Sequence, residues 1–221
     1  MSSPAPRGRP RKLPVGEQRA RVLQATAKVV AQHGMQGATI EQIAREAGVS
    51  RQAVYERFGD RTALFAEVVA EVEERAFEAI AGPAVADRQP DPPGPQPGLR
   101  AWARASYANM VTFVAESPEA YGVLRAAERA GDPALTRLRE RLAVVYADAS
   151  AKRWAAHGID SGRADRALVT LFFAMTESLV QATWDGEPPP QDALIDLLTE
   201  FTVGGVTRLQ TKASDVIQRL R

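Results

Sequence analysis

The chain has 221 residues, 45% of them hydrophobic, with 28 Lys or Arg against 27 Asp or Glu; a chain of this length buries roughly 70% of its unfolded surface and can build a core without staples. It contains no cysteine, which excludes disulfides, thiolate nucleophiles and Cys-ligated metals. The longest apolar run, LVTLFFAM at 168–175, is far short of the roughly 20 residues that cross a bilayer, and no apolar stretch follows Arg7, Arg9, Arg11 and Lys12. A cytoplasmic protein with no membrane partner is expected.

The net charge of +1 is unevenly spread. Residues 1–61 hold eleven basic and five acidic side chains, and the remaining 160 hold 17 and 22. A first quarter at +6 joined to a remainder at −5 points to a polyanion as the partner of the first part alone.

Residues 1–16 are rich in Pro, Gly, Ser and Arg without apolar period and read as a disordered basic arm. From Glu17 to His33, the positions Val22, Leu23, Thr26, Val29 and Val30 repeat with helical spacing, and Gly34 offers a C-cap. Thr39 precedes Ile40, Ile43, Ala44 and Ala47, with Gln42 three residues on, the pattern of a capping box. Gly48 ends this second helix, Val49 is a buried bridge, and Ser50 caps a third helix that ends at Gly59. Two short helices joined by a turn containing Gly are the parts of a helix-turn-helix.

On the third helix Val54 and Phe58 face inward, toward Ile40, Ile43 and Val22. Arg51, Gln52, Ala53, Glu56 and Arg57 lie on or beside the outer face. The major groove admits one α-helix, in which Arg favours guanine and Gln favours adenine. Ala53 lets the helix approach closely, and the Tyr55 hydroxyl lies at the flank, within reach of a phosphate. Glu56 either accepts from cytosine or pairs with a neighbouring Arg. Asp60 caps a fourth helix, on which Arg61 is placed to meet the DNA backbone.

The stretch GATIEQIAREAGVSRQAVYERFGDRTALF resembles the DNA-binding signature of the TetR family of transcriptional regulators, over about residues 17–65. The resemblance implies phosphate contacts from Thr39, Tyr55 and Arg61 and base contacts from Arg51, Gln52 and Ala53, with Arg19 and Ser50 in the same DNA-facing set. Two positions depart from the family pattern. Arg57 stands where His or Tyr is usual, adding a phosphate contact, and Val30 stands where Phe is frequent, a change of core packing. The arm RGRPRK, with Arg7, Arg9, Arg11 and Lys12, reads as a second basic element, either a minor-groove hook or a source of general phosphate attraction.

The fourth helix runs to about Ile80 through Leu64, Phe65, Val68, Val69, Val72 and Phe77. Residues 82–98 contain six prolines and read as a mobile loop that cannot continue a helix. Five further helices are expected, at about 99–116, 119–130, 133–157, 161–184 and 191–209, followed by a tail at 211–221. No alternating strand pattern occurs, so the fold class is all-α: a helix-turn-helix domain at 17–60 and a helical bundle at 61–210.

The resemblance implies that the bundle senses a ligand and dimerises through its last two long helices. Leu168, Leu171, Met175, Leu194, Leu197, Leu198, Phe201 and Gly205 are the expected homodimer contacts, with packing inside one copy as the alternative. Trp102, Asn109, Met110, Phe113, Tyr121, Tyr146, Phe172 and Thr176 are the pocket candidates for a small hydrophobic or aromatic effector, with ordinary core as the alternative. His33 and His157 are the only histidines, each before a glycine at a helix end, where a donor serves terminal carbonyls. No metal-ligand, Walker or Gly-rich phosphate motif occurs, so no enzyme, metal or cofactor is expected. The expected function is a DNA-binding regulator, by family resemblance a repressor, released from a palindromic double-stranded operator by its effector. A constitutive architectural protein with a purely dimerising bundle, or a helical protein-interaction module, are the competing classes.

Overall fold

The computed structural model describes residues 15–86, 98–155, 158, 160–184, 189–212 and 214–220. Among these the regular structure is entirely helical: α1 (Val15–Gly37), α2 (Ile40–Ala47), α3 (Arg51–Phe58), α4 (Arg61–Ala86), α5 (Leu99–Glu116), α6 (Pro118–Arg129), α7 (Ala134–Ala155), α8 (Ala164–Trp184), α9 (Gln191–Thr211) and α10 (Ser214–Arg219). The basic arm, most of the proline-rich loop and His157 lie outside the described residues, so the expectations placed on Arg7, Arg9, Arg11 and Lys12 are not addressed by the structure.

The first three helices follow their local signals. Val22, Leu23, Thr26, Val29 and Val30 of α1 are all buried, as their spacing requires, and the Thr26 hydroxyl returns its hydrogen bond to the Val22 carbonyl at 2.7 Å. Gly34, with φ 70°, breaks α1 as expected, but a further short helical piece continues to Gly37. Thr39 caps α2 in a complete capping box with Gln42, and Gly48 closes α2 in the left-handed region, at φ 68° and ψ 33°. Ser50 accepts from the Ala53 amide at 3.1 Å and so caps α3. Asp60 does the same for α4 through the Ala63 amide, at 2.8 Å.

Helix α4 departs from expectation. It runs past Ile80 and through Pro83 to Ala86. Pro83 has no N–H, so the Ala79 carbonyl loses its helical donor. Asn109 of α5 replaces that donor, its Nδ2 lying 3.0 Å from the Ala79 oxygen, and the Tyr146 hydroxyl of α7 donates to the next carbonyl, Ile80, at 2.9 Å. A proline that would end an isolated helix is accommodated here with the carbonyl it orphans satisfied by Asn109.

Helix α4 packs on α7 and α5, α5 on α9, and α7 on α8, while α1 packs extensively against α6. The last contact is close enough that a Cβ on Gly122 would lie 2.8 Å from the Ala31 Cβ. Ion pairs reinforce the seams. Buried Glu73 of α4 receives Arg137 at 2.9 Å and Arg141 at 3.6 Å, both from α7. The expected tail is instead partly helical. Ile217 of α10 is 1% exposed and packs with Trp154 and Ala164 in a small second core.

Candidate functional site

The outer face of α3 is set by burying its opposite side. Val54 and Phe58 are in the core, while Arg51, Gln52, Tyr55 and Glu56 are exposed and Ala53 and Arg57 are half-buried. The helix has eight residues, about 12 Å of axis, a length that fits across one groove. Gln52 Nε2 donates to Glu56 Oε1 at 2.7 Å, one turn along the same face. Glu56 therefore pairs with Gln52, and with no arginine among the described residues; this bond orients the amide that is expected to meet a base. Thr39 is exposed at the start of α2, its hydroxyl shared with Gln42.

Two residues expected to face DNA are engaged elsewhere. Arg61 directs its guanidinium at the end of α1, donating from Nε to the Ala38 carbonyl at 3.1 Å and from Nη2 to the Met35 and Gln36 carbonyls. It also lies over the Phe65 ring at 4.4 Å. The break at Gly34 leaves terminal carbonyls, and a cation from the neighbouring helix closes them. In the free chain Arg61 thus clamps α1 to α4. Arg19 forms an ion pair with Glu67 of α4, again joining those two helices.

A cavity of about 350 Å³ opens among α5, α7, α8 and α9. Of the eight pocket candidates, Trp102, Tyr146 and Phe172 line it. Met110, Phe113 and Tyr121 line a separate hollow of about 70 Å³, too small for more than a few atoms. Asn109 and Thr176 line neither. Asn109 is spent on the Ala79 carbonyl, and Thr176, fully buried, bonds the Phe172 carbonyl of its own helix at 2.8 Å.

Sequence reasoning missed Ser150, Arg153 and Trp154, which share the cavity wall with Tyr146. Their spacing from Tyr146, four, seven and eight residues, was the available signal, since it marks one helix face.

Tyr146 is the central wall residue. Its ring meets Trp102 edge-on at 5.7 Å, Phe172 at 5.5 Å and Phe173 at 5.5 Å. Burial pushes its hydroxyl pKa up to about 12, against the lowering effect of a hydrogen bond with Ser106. The phenol is therefore neutral and remains a donor to Ile80 of α4.

The expected dimer residues divide by exposure. Leu194 and Leu198 are buried and belong to the core of their own copy, because α9 turns that face to α5. Leu171, Leu197 and Phe201 are 58%, 59% and 66% exposed, and Gly205 is exposed with open space at its Cα. Leu168, Leu171, Met175, Phe201 and Gly205 also border the larger cavity, so its rim coincides with the apolar face of α8 and α9. Among the described residues, no helix is long and apolar enough to cross a membrane and no cluster of His, Asp or Glu could hold a metal.

Residues 22–68 match the family model for bacterial regulatory proteins of the tetR family. No curated protein sequence matches the chain. Among solved structures, a TetR-like transcriptional regulator from Rhodococcus sp. RHA1 superposes with a TM-score of 0.66 at 22% identity, over 89% of this chain and 99% of that one. A TetR family transcription regulator from Marinobacter aquaeolei gives 0.62 at 21% identity, over 85% and 94%. The regulator PfmR from Thermus thermophilus gives 0.62 at 13% identity, over 82% and 96%. These likenesses extend the shared fold through the helical bundle, well beyond the matched segment, and no enzymatic family is indicated.

Proposed function

We propose, for a chain that belongs to the tetR family of DNA-binding regulators through residues 22–68, that two copies read a palindromic operator and that a small hydrophobic or aromatic ligand releases them. In this reading the protein is a cytoplasmic homodimeric repressor. Arg51, Gln52 and Ala53 meet base edges in the major groove, and Thr39, Tyr55 and Arg57 meet phosphates. Leu171, Leu197 and Phe201 form the centre of the dimer contact, with Gly204 and Gly205 permitting close approach of the partner's helices.

The observation that carries the reading is the position of Tyr146, whose ring forms cavity wall while its hydroxyl holds the Ile80 carbonyl of α4. An occupant that displaces this ring pulls on α4 directly. The Glu73 pairs with Arg137 and Arg141 transmit the same movement, since they bind α4 to the helix that carries Tyr146. At its other end α4 buries Leu64 and Phe65 in the core of the reading domain. Half-sites recur one helical turn apart, about 34–36 Å, so a shift of a few Å in each α4 spoils simultaneous docking. A cavity of about 350 Å³, within the usual range for ligand sites, favours this reading over a constitutive architectural protein, which would need a solid core.

The test is fluorescence anisotropy of a labelled palindromic duplex, titrated with protein at fixed concentrations of hydrophobic and aromatic compounds that quench Trp102 and Trp154. Release is expected for such compounds. Equal affinity of the ligand-saturated and free protein for the duplex contradicts the proposal.

A further inference from the structure

Gln52 and Glu56 stand one turn apart on the exposed face of α3, joined by the 2.7 Å bond from Gln52 Nε2 to Glu56 Oε1. A carboxylate only accepts, whereas an amide offers an oxygen at one end and an NH2 group at the other. The nitrogen end of Gln52 must therefore face Glu56, and its oxygen must face away. The carboxylate stays available for this task, because Glu56 pairs with no cation among the described residues. The backbone under the pair is also fixed. Ser50 caps α3 through the Ala53 amide at 3.1 Å, and Val54 and Phe58 anchor its inner side in the core.

An unrestrained glutamine has no such preference. Its terminal torsion is broad and roughly two-fold, so half a turn exchanges acceptor for donor. In the major groove that exchange changes the base. Adenine presents N7 as an acceptor and N6 as a donor, a match for an oxygen and an N–H side by side; guanine presents two acceptors, N7 and O6, a match for N–H alone. The Gln52 nitrogen has one hydrogen for Glu56 and one left beside Oε1, so the restrained amide shows the edge that fits adenine. Turning it toward guanine would bring Oε1 against the carboxylate and break the bond.

Resting on the reading of α3 as the groove helix, we propose that Glu56 is a positioning residue, which holds Gln52 in the orientation that accepts adenine and rejects guanine. Direct reading of cytosine by Glu56 would act on a different base pair, so the two roles separate experimentally.

The experiment uses the full-length protein and duplexes selected from a random library. The base pair whose preference changes in Gln52→Ala is the one Gln52 reads. Adenine and guanine versions of that pair are compared by fluorescence anisotropy with the wild type, Glu56→Gln and Glu56→Ala. The wild type is expected to favour adenine about tenfold, within the usual discrimination of a bidentate contact. Glu56→Ala is expected to reduce that ratio to about three or less, and Glu56→Gln to fall between, since its amide accepts in only one of its two orientations. Loss of a negative charge strengthens binding to every duplex alike, so the ratio carries the result. Both variants should melt as the wild type does, because Glu56 is exposed. A ratio unchanged in Glu56→Ala, a wild-type preference for guanine, or a change confined to a base pair that Gln52→Ala leaves untouched overturns the positioning role and leaves the reading of α3 standing. A wild type that enriches no duplex, or Gln52→Ala with unchanged preferences, overturns both.

Discussion

Replacing Tyr146 with Phe removes one oxygen and leaves the ring. The lost group is the donor held 2.9 Å from the Ile80 carbonyl, in a residue only 1% exposed, and the contacts to Trp102, Phe172 and Phe173 survive. A buried neutral hydrogen bond contributes about 0.5–1.5 kcal/mol net, so urea denaturation near neutral pH should show a loss of about 1 kcal/mol with an unchanged m-value. The corresponding fall in melting temperature is about 2–4 °C for a chain of this size. The same bond joins the cavity wall to α4, so the effector's influence on operator affinity should shrink about fivefold, the ratio equivalent to about 1 kcal/mol. The pH dependence supplies a second readout. Folding raises the Tyr146 pKa from 10.0 to about 12, so its contribution to stability is complete below pH 10 and is lost as pH rises through the folded value. Tyr107 contributes in the same direction, raised chiefly by burial. Tyr146→Phe should flatten the alkaline limb of the stability curve between those values. Unchanged stability together with unchanged effector coupling would refute the linkage through Tyr146.

Three further outcomes follow from the packing. Gly122→Ala places a Cβ 2.8 Å from the Ala31 Cβ and 3.3 Å from its Cα; overpacking of this kind costs about 1–3 kcal/mol, and α1 must move from α6. Operator affinity should change without effector, and Ala31→Gly in the same chain should restore it; a neutral single variant contradicts the close contact. Arg61→Ala should lower thermal stability by about 1–2 kcal/mol, reduced by partial exposure from the usual strength of charged hydrogen bonds. A loss of DNA binding with an unchanged melting curve would instead restore Arg61 as a phosphate ligand. Leu197→Glu with Phe201→Glu should give folded monomers by sedimentation, because both side chains are exposed, whereas Leu198→Glu, at a position 3% exposed, should unfold the chain. Dimers that persist in the double variant would move the interface elsewhere.

The reading head was legible because its signals are local. The Thr39–Gln42 capping box, Gly48, Ser50 and the Gly59–Asp60 pair each fix a boundary within four residues of themselves, and the structure follows them. The end of α4 was not legible, because the carbonyl that Pro83 orphans is satisfied by Asn109, a side chain from another helix. The clamp made by Arg61 was not legible for a related reason: nothing local to Arg61 shows that the open carbonyls after Gly34 are brought beside it. Helical spacing identified Leu194, Leu197, Leu198 and Phe201 as apolar, but exposure divided them between core and outer face. Trp102, Tyr146 and Phe172 share one cavity, while Met110, Phe113 and Tyr121, of the same chemical type, share another. Periodicity assigns a residue to a face, and only the packing of helices remote in sequence decides what that face encloses.

Whether two copies read one palindrome through α3 is decided by selecting bound duplexes from a random DNA library, with the wild type and with Gln52→Ala. Enrichment of a palindrome with two half-sites about one helical turn apart, and relaxed base preference in the variant at the positions Gln52 reads, are expected. Recovery of nothing beyond salt-sensitive bulk DNA, or identical preferences from both proteins, would contradict that reading.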